Sequence, residues 1–398
     1  MTEQVPASVI EDLAASGGGI ELWWDSSPLI FTPWVDEVVA QVCQSNQQAL
    51  CTQLKRLYDE TDPVKSIFVG CTTNPPLSWQ AIQKDRARWD AWVKAEYKTN
   101  FRMTQPELFW HTYMAVVAAG AQAFHAIWKK SNYKQGYVSG QVDPRILTDT
   151  FKMIKQGRAL NKQFRNVMVK MPGTAEGIAG IEELTAVGIP TNATLTFAVS
   201  QLVAVAEAVR RGLIKARKDR VDLSRWRSVV TMMLGRLEDH PVFAEQCQEA
   251  GIDLTPEKKR LAGIAVFKKA YRLFKQRSYE SKMLAASMRT GPKVNGREKV
   301  WHLEHLAGGN VVLTVFPNVF EGLLAGYDPG EIKPHIDDDV PQVVIDELLK
   351  TEYFRQAYNE DGLKPNQWIS YPPVAATAKQ FADSTNEMDA WIGEMMKG

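Results

Sequence analysis

Residues 166–194, NVMVKMPGTAEGIAGIEELTAVGIPTNAT, carry three signals in succession. NVMVK (166–170) is a short apolar run, the form in which a parallel strand buried on both faces is written, and it closes on a lysine. The segment 176–187 places apolar residues at helical spacing, with Gly188 just beyond its end where a helix C-cap belongs. GIPTNAT (188–194) is a second strand-like run. Strand, helix and strand follow one another with short connections, as in an α/β fold.

Working outward in both directions, six more runs of the same kind bring the total to eight: IELWW (20–24), SIFVGC (66–71), GYVSGQV (136–142), SVVTMML (228–234), KMLAAS (282–287) and NVVLTV (310–315). Helical patterns at 106–130, 197–217 and 256–278 lie between them. Eight buried strands alternating with helices predict a (β/α)8 TIM barrel, whose functional groups sit at the C-terminal ends of the strands. A doubly wound open sheet is the alternative on pattern alone.

A bare barrel needs about 250 residues, and this chain has 398. One surplus, residues 72–134, follows the second strand as a helical insertion dense in tryptophan (Trp79, Trp89, Trp92, Trp110, Trp128). The other runs from 316 to 398, where Pro-rich turns such as YPPVAATAKQF (371–381) alternate with two helical stretches. No low-complexity linker or internal repeat divides the chain. The expectation is one domain over 1–398, with a barrel core at about 20–325 and a C-terminal helical extension at about 326–398.

Composition narrows the function classes. With 45% hydrophobic and 23% charged residues the chain matches the average globular protein. Lys+Arg 47 against Asp+Glu 46 leaves a net charge of +1, so no global field draws it to nucleic acid or anionic lipid, and any anion must be held by a local site. The basic runs at 210–220 and 258–277 read as solvated outer faces, since no aromatic interleaving accompanies them. The N-terminal stretch MTEQVPASVIEDLAASGGG lacks the apolar core of a secretory signal, and no stretch reaches the roughly 20 apolar residues of a membrane span. Cys43, Cys51, Cys71 and Cys247 fit neither a CxxC pair nor zinc spacing, and the expected compartment is the reducing cytoplasm. GGG at 17–19 precedes a strand and is no dinucleotide fingerprint. HIDDD (335–339) reads as a polar loop, and the histidines form neither an HExxH motif nor a triad with a GxSxG elbow.

Reading the strand ends in order gives Asp25, Asn74, Gln141, Lys170, Asn192 with Thr194, Arg236, and Ser287 with Arg289. An ammonium pointing into a barrel must be paired, or partly neutralised by burial, and such a lysine is a candidate Schiff-base nucleophile. A structural ion pair is the alternative for Lys170. For Asp25 the alternative is an N-cap of the segment 25–28, and for the asparagines a turn or cap. Thr194 has a packing alternative, and the arginines a surface one.

TTNPPL (72–77), VDPR (142–145), VKMPGTAEGI (169–178), GIPTNATLTF (188–197), GR (235–236) and LAASMR (284–289) together resemble the successive motifs of transaldolases. The resemblance runs from about residue 21 to 324. It implies a barrel whose Schiff-base lysine is Lys170 on the fourth strand, forming an imine with a ketose phosphate and passing a dihydroxyacetone unit to an aldose phosphate. It implies that Asp25 takes the proton of the C4 hydroxyl, that Asn74 and Asn192 bind the hydroxyls of the three-carbon fragment, and that Thr194 helps to hold a catalytic water. Phosphate falls to Arg236, Ser287 and Arg289, through guanidinium forks. No cofactor or metal is implied; the partners are sugar phosphates of the pentose phosphate pathway, with a homodimer left open.

Several positions depart from the resemblance. Transaldolases carry a glutamate before VDPR that shuttles protons, and here Gln141 stands in its place; an amide positions water but does not exchange protons with it usefully. The fructose-6-phosphate aldolases have Gln there, paired with a tyrosine on the sixth strand, where this chain has Met233 after Thr231. Tyr137 shares the inward parity of Gln141 but lies deeper in the barrel. Pro76 replaces a small residue. The alternatives are therefore a fructose-6-phosphate-aldolase-like or specialised sugar-phosphate aldolase, or a catalytically weakened relative that binds sugar phosphate or, through the Trp-rich insertion, a protein partner.

Overall fold

The eight apolar runs close on one another. β1 (Glu21–Trp24), β2 (Phe68–Cys71), β3 (Tyr137–Gln141), β4 (Val167–Pro172), β5 (Thr191–Thr194), β6 (Ser228–Met233), β7 (Lys282–Ala286) and β10 (Val311–Val315) form a closed parallel barrel in the order β1-β10-β7-β6-β5-β4-β3-β2. β8 (Lys293–Val294) and β9 (Arg297–Glu298) form a small antiparallel hairpin outside it. The structure, a computed structural model, describes residues 8–397, so the first seven residues of the N-terminal stretch read for a leader lie outside the described residues. The architecture is the expected (β/α)8 barrel.

Every residue of β3, β4, β5, β6 and β10 is buried, because one face of each strand meets the helical ring and the other fills the barrel. The barrel floor is apolar: Trp23, Tyr137, Met168, Val229, Leu284 and Val312 pack into one interior cluster. Tyr137 belongs to this floor, its hydroxyl lying 2.8 Å from the Tyr133 carbonyl and 2.7 Å from that of Arg225, deep below the strand ends as its parity predicts. Beneath it Glu21 is gripped by Arg227 and Lys282 at 2.6 and 2.7 Å. Above the floor the inward residues turn polar.

The helix expected at 176–187 spans Ala175–Ala186. Gly188, at φ +74°, ends it: the Gly188 and Ile189 amides donate to the Thr185 and Leu184 carbonyls, both at 3.0 Å, which is the Schellman pattern. β5 consequently starts at Thr191 and not at 188: Gly188 is left-handed, and Pro190, whose carbonyl accepts from the Val169 amide at 2.9 Å, has no N–H to donate to a ladder. β7 stops at Ala286 because Ser287 turns to φ +60°.

The insertion after β2 is three helices, Pro75–Lys84, Arg86–Thr99 and Gln105–Lys130. Residues 371–381 correct the expectation of a turn. Pro372 and Pro373 occupy the first turn of the helix Pro372–Met395, where a missing N–H costs nothing, and the helices Gln342–Leu348 and Glu352–Tyr358 precede it, more than the two stretches expected. This C-terminal helix packs against the helix that follows β2 and the turns that follow β3 and β6, which places it over the C-terminal mouth of the barrel.

The segment 258–277 is not wholly solvated, contrary to the expectation of an outer face. Lys268 is buried and its Nζ donates to the carbonyls of His335 and Asp338 at 2.6 and 2.8 Å, so the HIDDD loop is tethered by a lysine of the long helix Pro256–Gln276. Among the described residues no group of His, Cys, Asp and Glu is placed to hold a metal ion, and no helix is long and apolar enough to cross a membrane.

Candidate active site

Gln141, Lys170 and Asn192 stand at one level, because β3 and β4 pair Gln141 with Lys170 and β4 and β5 pair Lys170 with Asn192. The Lys170 side chain is buried in the upper barrel, its Nζ donating to the Thr73 carbonyl at 3.2 Å. Burial disfavours the ammonium and lowers its pKa to about 8, against the pull of the Asp25 carboxylate. Roughly one molecule in ten then holds a free amine at pH 7.

Asp25 follows β1, whose ladder its own amide extends by donating to the Val315 carbonyl at 3.0 Å. Its Oδ1 accepts from the Thr72 hydroxyl at 2.7 Å, and Thr72 in turn touches Thr314. Burial pushes the carboxyl up to about 6, opposed by Lys170, Thr72, Arg236 and Arg289. Lys170, Arg236 and Arg289 thus all lie near enough to act on this one carboxylate. The capping alternative for Asp25 is not what forms: Ser27 accepts the amide of Leu29 and caps the turn Pro28–Ile30.

Asn192 is fixed on both sides, donating to the Ser139 hydroxyl at 2.9 Å and accepting from Thr231 at 2.7 Å, which leaves one N–H for a ligand. Asn74 does adopt the capping role, its Oδ1 accepting from the Leu77 amide at 2.9 Å at the start of Pro75–Lys84; only its amide donors remain. The Thr194 hydroxyl lies 3.9 Å from the Met233 sulfur. Gln141 is fully buried, its backbone N–H donating to the Tyr113 hydroxyl at 2.9 Å, while its side-chain Oε1 is buried with no hydrogen-bond partner. An unmet buried acceptor is costly, about 1–3 kcal/mol.

Arg236 rides on the short helix Leu234–Glu238 after β6. It donates to Gln380 Oε1 at 2.5 Å and lies 5.5 Å over the Phe381 ring, both on the C-terminal helix. Burial and the neighbouring Arg289 hold its pKa down to about 10, so it is charged at neutral pH. Arg289 is anchored by Asp239 at 2.8 Å and by the Ser287 carbonyl at 2.9 Å. Two guanidinium groups that repel each other thus concentrate positive charge at a half-exposed mouth.

Thr72 and Thr73 lie inside the quoted TTNPPL motif, yet nothing in that motif signals their contacts with Asp25 and Lys170. Gln380 and Phe381 carry no signal beyond amphipathic spacing. Tyr113 and Ser139 belong to the same set.

Comparison with known proteins comes to the same place. A family model described as Transaldolase/Fructose-6-phosphate aldolase matches residues 55–367, a stretch that includes Lys170 and the arginines and leaves Asp25 and the C-terminal helix outside. A protein named "Transaldolase 2" from Nostoc punctiforme is 28% identical over 304 residues, covering 71% of this chain and 76% of its own. A "Transaldolase" from Arthrobacter sp. is 29% identical over 56% of this chain and 58% of its own length. One from Thiobacillus denitrificans reaches 36% over 37% of this chain and 41% of its own. The last two matches span about half of the relatives' length or less. Since the family model alone accounts for most of the residues, this chain belongs to the transaldolase/fructose-6-phosphate aldolase family and is an enzyme of that type.

Proposed function

We propose that this enzyme transfers a dihydroxyacetone unit from a ketose phosphate to an aldose phosphate through a Schiff base on Lys170. The observation that carries the reading is the pairing of a buried lysine, lowered to about 8, with a buried aspartate raised to about 6, in one strand-end space. The neutral Lys170 amine attacks the C2 carbonyl, and the carbinolamine loses water to give a protonated imine. Asp25 then takes the proton of the C4 hydroxyl. The C3–C4 bond breaks, its electron pair flows into the iminium to leave an enamine, and the aldose departs. An acceptor aldehyde reverses these steps, Asp25 returns the proton, and water hydrolyses the new imine. A base whose pKa lies just below operating pH suits this exchange. Arg236, Arg289 and Ser287 hold the phosphate, Asn192 and the Asn74 amide bind hydroxyls, and Thr194 with Gln141 orients the water.

The buried, unpartnered Oε1 of Gln141 favours a second reading, an aldolase of the fructose-6-phosphate type that releases free dihydroxyacetone. Trapping distinguishes the two. Fructose 6-phosphate with borohydride should leave a three-carbon adduct in the intact protein and none in Lys170→Ala; erythrose 4-phosphate added before the borohydride should discharge the enamine and reduce the yield of that adduct under the transferase reading. Failure to trap any ketose phosphate overturns the Schiff base. Dihydroxyacetone released without an acceptor moves the assignment to the second reading.

A further inference from the structure

We infer that Glu238 and His302 are positioning residues that set Arg289 at the phosphate end of the site. This rests on the phosphate reading given above. Glu238 closes the helix that carries Arg236, and His302 lies on Trp301–Leu306; both side chains are wholly buried behind the arginines, away from reacting atoms. His302 Nδ1 accepts the backbone N–H of Arg289 at 3.0 Å, and Nε2 meets Glu238 Oε1 at 2.7 Å. The first bond fixes the tautomer: Nδ1 must be bare, so the proton sits on Nε2 and is donated to the carboxylate. The other Glu238 oxygen is taken by Arg260.

A buried carboxylate is expensive, and an apolar residue would pack in its place at less cost. The surroundings nevertheless make room for it. A Cβ on Gly263 of the neighbouring helix would lie 2.1 Å from Glu238 Oε1, so the carboxylate keeps this place only beside a glycine. The same convergence appears at Gly235, whose amide donates to the Ser287 carbonyl at 3.1 Å and whose Cβ would lie 2.3 Å from that oxygen and 2.7 Å from Arg289 Cγ. Asp239 then holds the Arg289 guanidinium at 2.8 Å. Gly235 and Asp239 directly, and Glu238 through His302, thus hold the 287–289 turn beside Arg236. The turn needs that grip, because Ser287 sits at φ +60°, uncommon for a residue with a Cβ, and because Arg289 is drawn close to a cation that repels it. The dyad supplies the backbone anchor, and Asp239 the side-chain anchor.

Two replacements separate the halves of the dyad. His302→Gln sets an amide donor near Nε2 and keeps the Glu238 contact while depriving the Arg289 N–H of its acceptor. His302→Asn sets an oxygen near Nδ1 and keeps that acceptor. The readouts are calorimetric binding of inorganic phosphate, and kcat and KM for fructose 6-phosphate against unphosphorylated fructose. Expected for His302→Gln is about a tenfold weaker phosphate affinity and a tenfold higher KM for the phosphorylated ketose, the size of one lost hydrogen bond to a well-placed group. The fructose parameters should stay within about twofold, and His302→Asn should retain most of the discrimination. Equal losses on both ketoses, or losses that follow Tm in both variants, overturn the inference. A native protein that prefers phosphorylated ketose and keeps the full preference in His302→Gln overturns the inference alone. A native protein without that preference overturns the phosphate reading and the inference with it. Should His302→Gln not fold, Glu238→Gln, which keeps shape while weakening the bond that fixes the imidazole, carries the same comparison.

Discussion

Asp25, Lys170 and Gln141 are 4%, 4% and 1% exposed, whereas the contacts that hold the C-terminal helix over them are made by partly exposed side chains such as Arg145 and Asp389, at 28% and 20%. The two regions lie within one site and obey different energetics. At the strand ends, charges sit where desolvation penalises them. Asp25 is raised above its ordinary value, so its favourable contribution to folding is present at low pH and lost as pH rises through about 6; Lys170 is depressed, so its contribution is present at high pH and lost as pH falls through about 8. At pH 7 both groups oppose folding. The buried charges thus cost stability, while the cover is made of contacts that stabilise modestly and need no unusual ionisation.

That difference breaks most sharply in the buried layer. Lys170→Ala should abolish turnover and adduct formation together, measured by activity and intact mass. Asp25→Asn should lower kcat by about 10²–10⁴-fold, the range of a lost general base, with KM little changed. The native kcat/KM should climb as pH rises through about 6, when Asp25 ionises, and again toward about 8, when Lys170 releases its proton. A flat profile across that interval would mean that neither group titrates in the free enzyme. The double variant Asp25→Asn/Lys170→Met, inactive, should melt higher than the native protein at pH 7, by about 1 °C per kcal/mol recovered.

At the border between the regions, Arg236→Ala or Arg289→Ala should raise KM for a phosphorylated ketose about 10–150-fold through a charged hydrogen bond worth about 1.5–3 kcal/mol, and leave an unphosphorylated one nearly unchanged. Equal effects would make the arginines structural. Gln141→Glu sets two effects against each other. A carboxylate restores proton exchange with water, but its position in register with Lys170 stabilises the ammonium and removes free amine. Acid–base catalysis outweighs the loss of amine, being worth about 10²–10⁴, so transfer from fructose 6-phosphate to erythrose 4-phosphate should rise, by up to about 10²-fold. Abolished activity on a substrate that the native protein uses well would mark Gln141 as an adapted residue.

The same division governs what was legible in the sequence. The barrel could be read because parallel strands buried on both faces must be continuous apolar runs, and the lysine stood out because NVMVK ends in a charge where a barrel tolerates none unpaired. Asp25, Asn192 and Arg236 followed from strand ends and motif likeness. The cover could not be read. Gln380 and Phe381 reach Arg236 across a sequence distance that no periodicity spans, and YPPV begins a helix although two prolines suggest a break. Glu238 and His302 were hidden for the opposite reason: GRLEDH and WHLEHL look like ordinary amphipathic helix ends, and only the packing reveals that two of their polar residues face inward.

The smallest expected effect belongs to the cover, and it tests whether that region only closes the site. Arg145 is bidentate to Asp143, lies 4.9 Å over Phe109, and donates to Asp389 of the C-terminal helix at 2.7 Å. Trp391 of that helix packs at 5.4 Å against Trp79 of the insertion and donates to Asp90, while Arg86 lies 5.7 Å over the Trp79 ring and 5.3 Å over that of Trp391. The Trp-rich insertion is thus the seat on which the helix rests. An exposed or half-exposed pair is worth about 0.2–1 kcal/mol, and an aromatic pair about 0.5–1.5 kcal/mol beyond its buried area. Asp389→Ala removes one tie and should raise KM for the phosphorylated ketose only about two- to fivefold, near the factor that 1 kcal/mol gives, with kcat held within about twofold. Trp391→Ala, which removes an aromatic anchor and its bond to Asp90, should do the same more strongly and lower Tm. Since Gln380 touches Arg236 from this helix, Gln380→Ala should give a KM effect without the loss of Tm. A fall in kcat as large as that of Asp25→Asn in any of these three would mean that the cover takes part in the chemistry, and the division between the two regions would not stand.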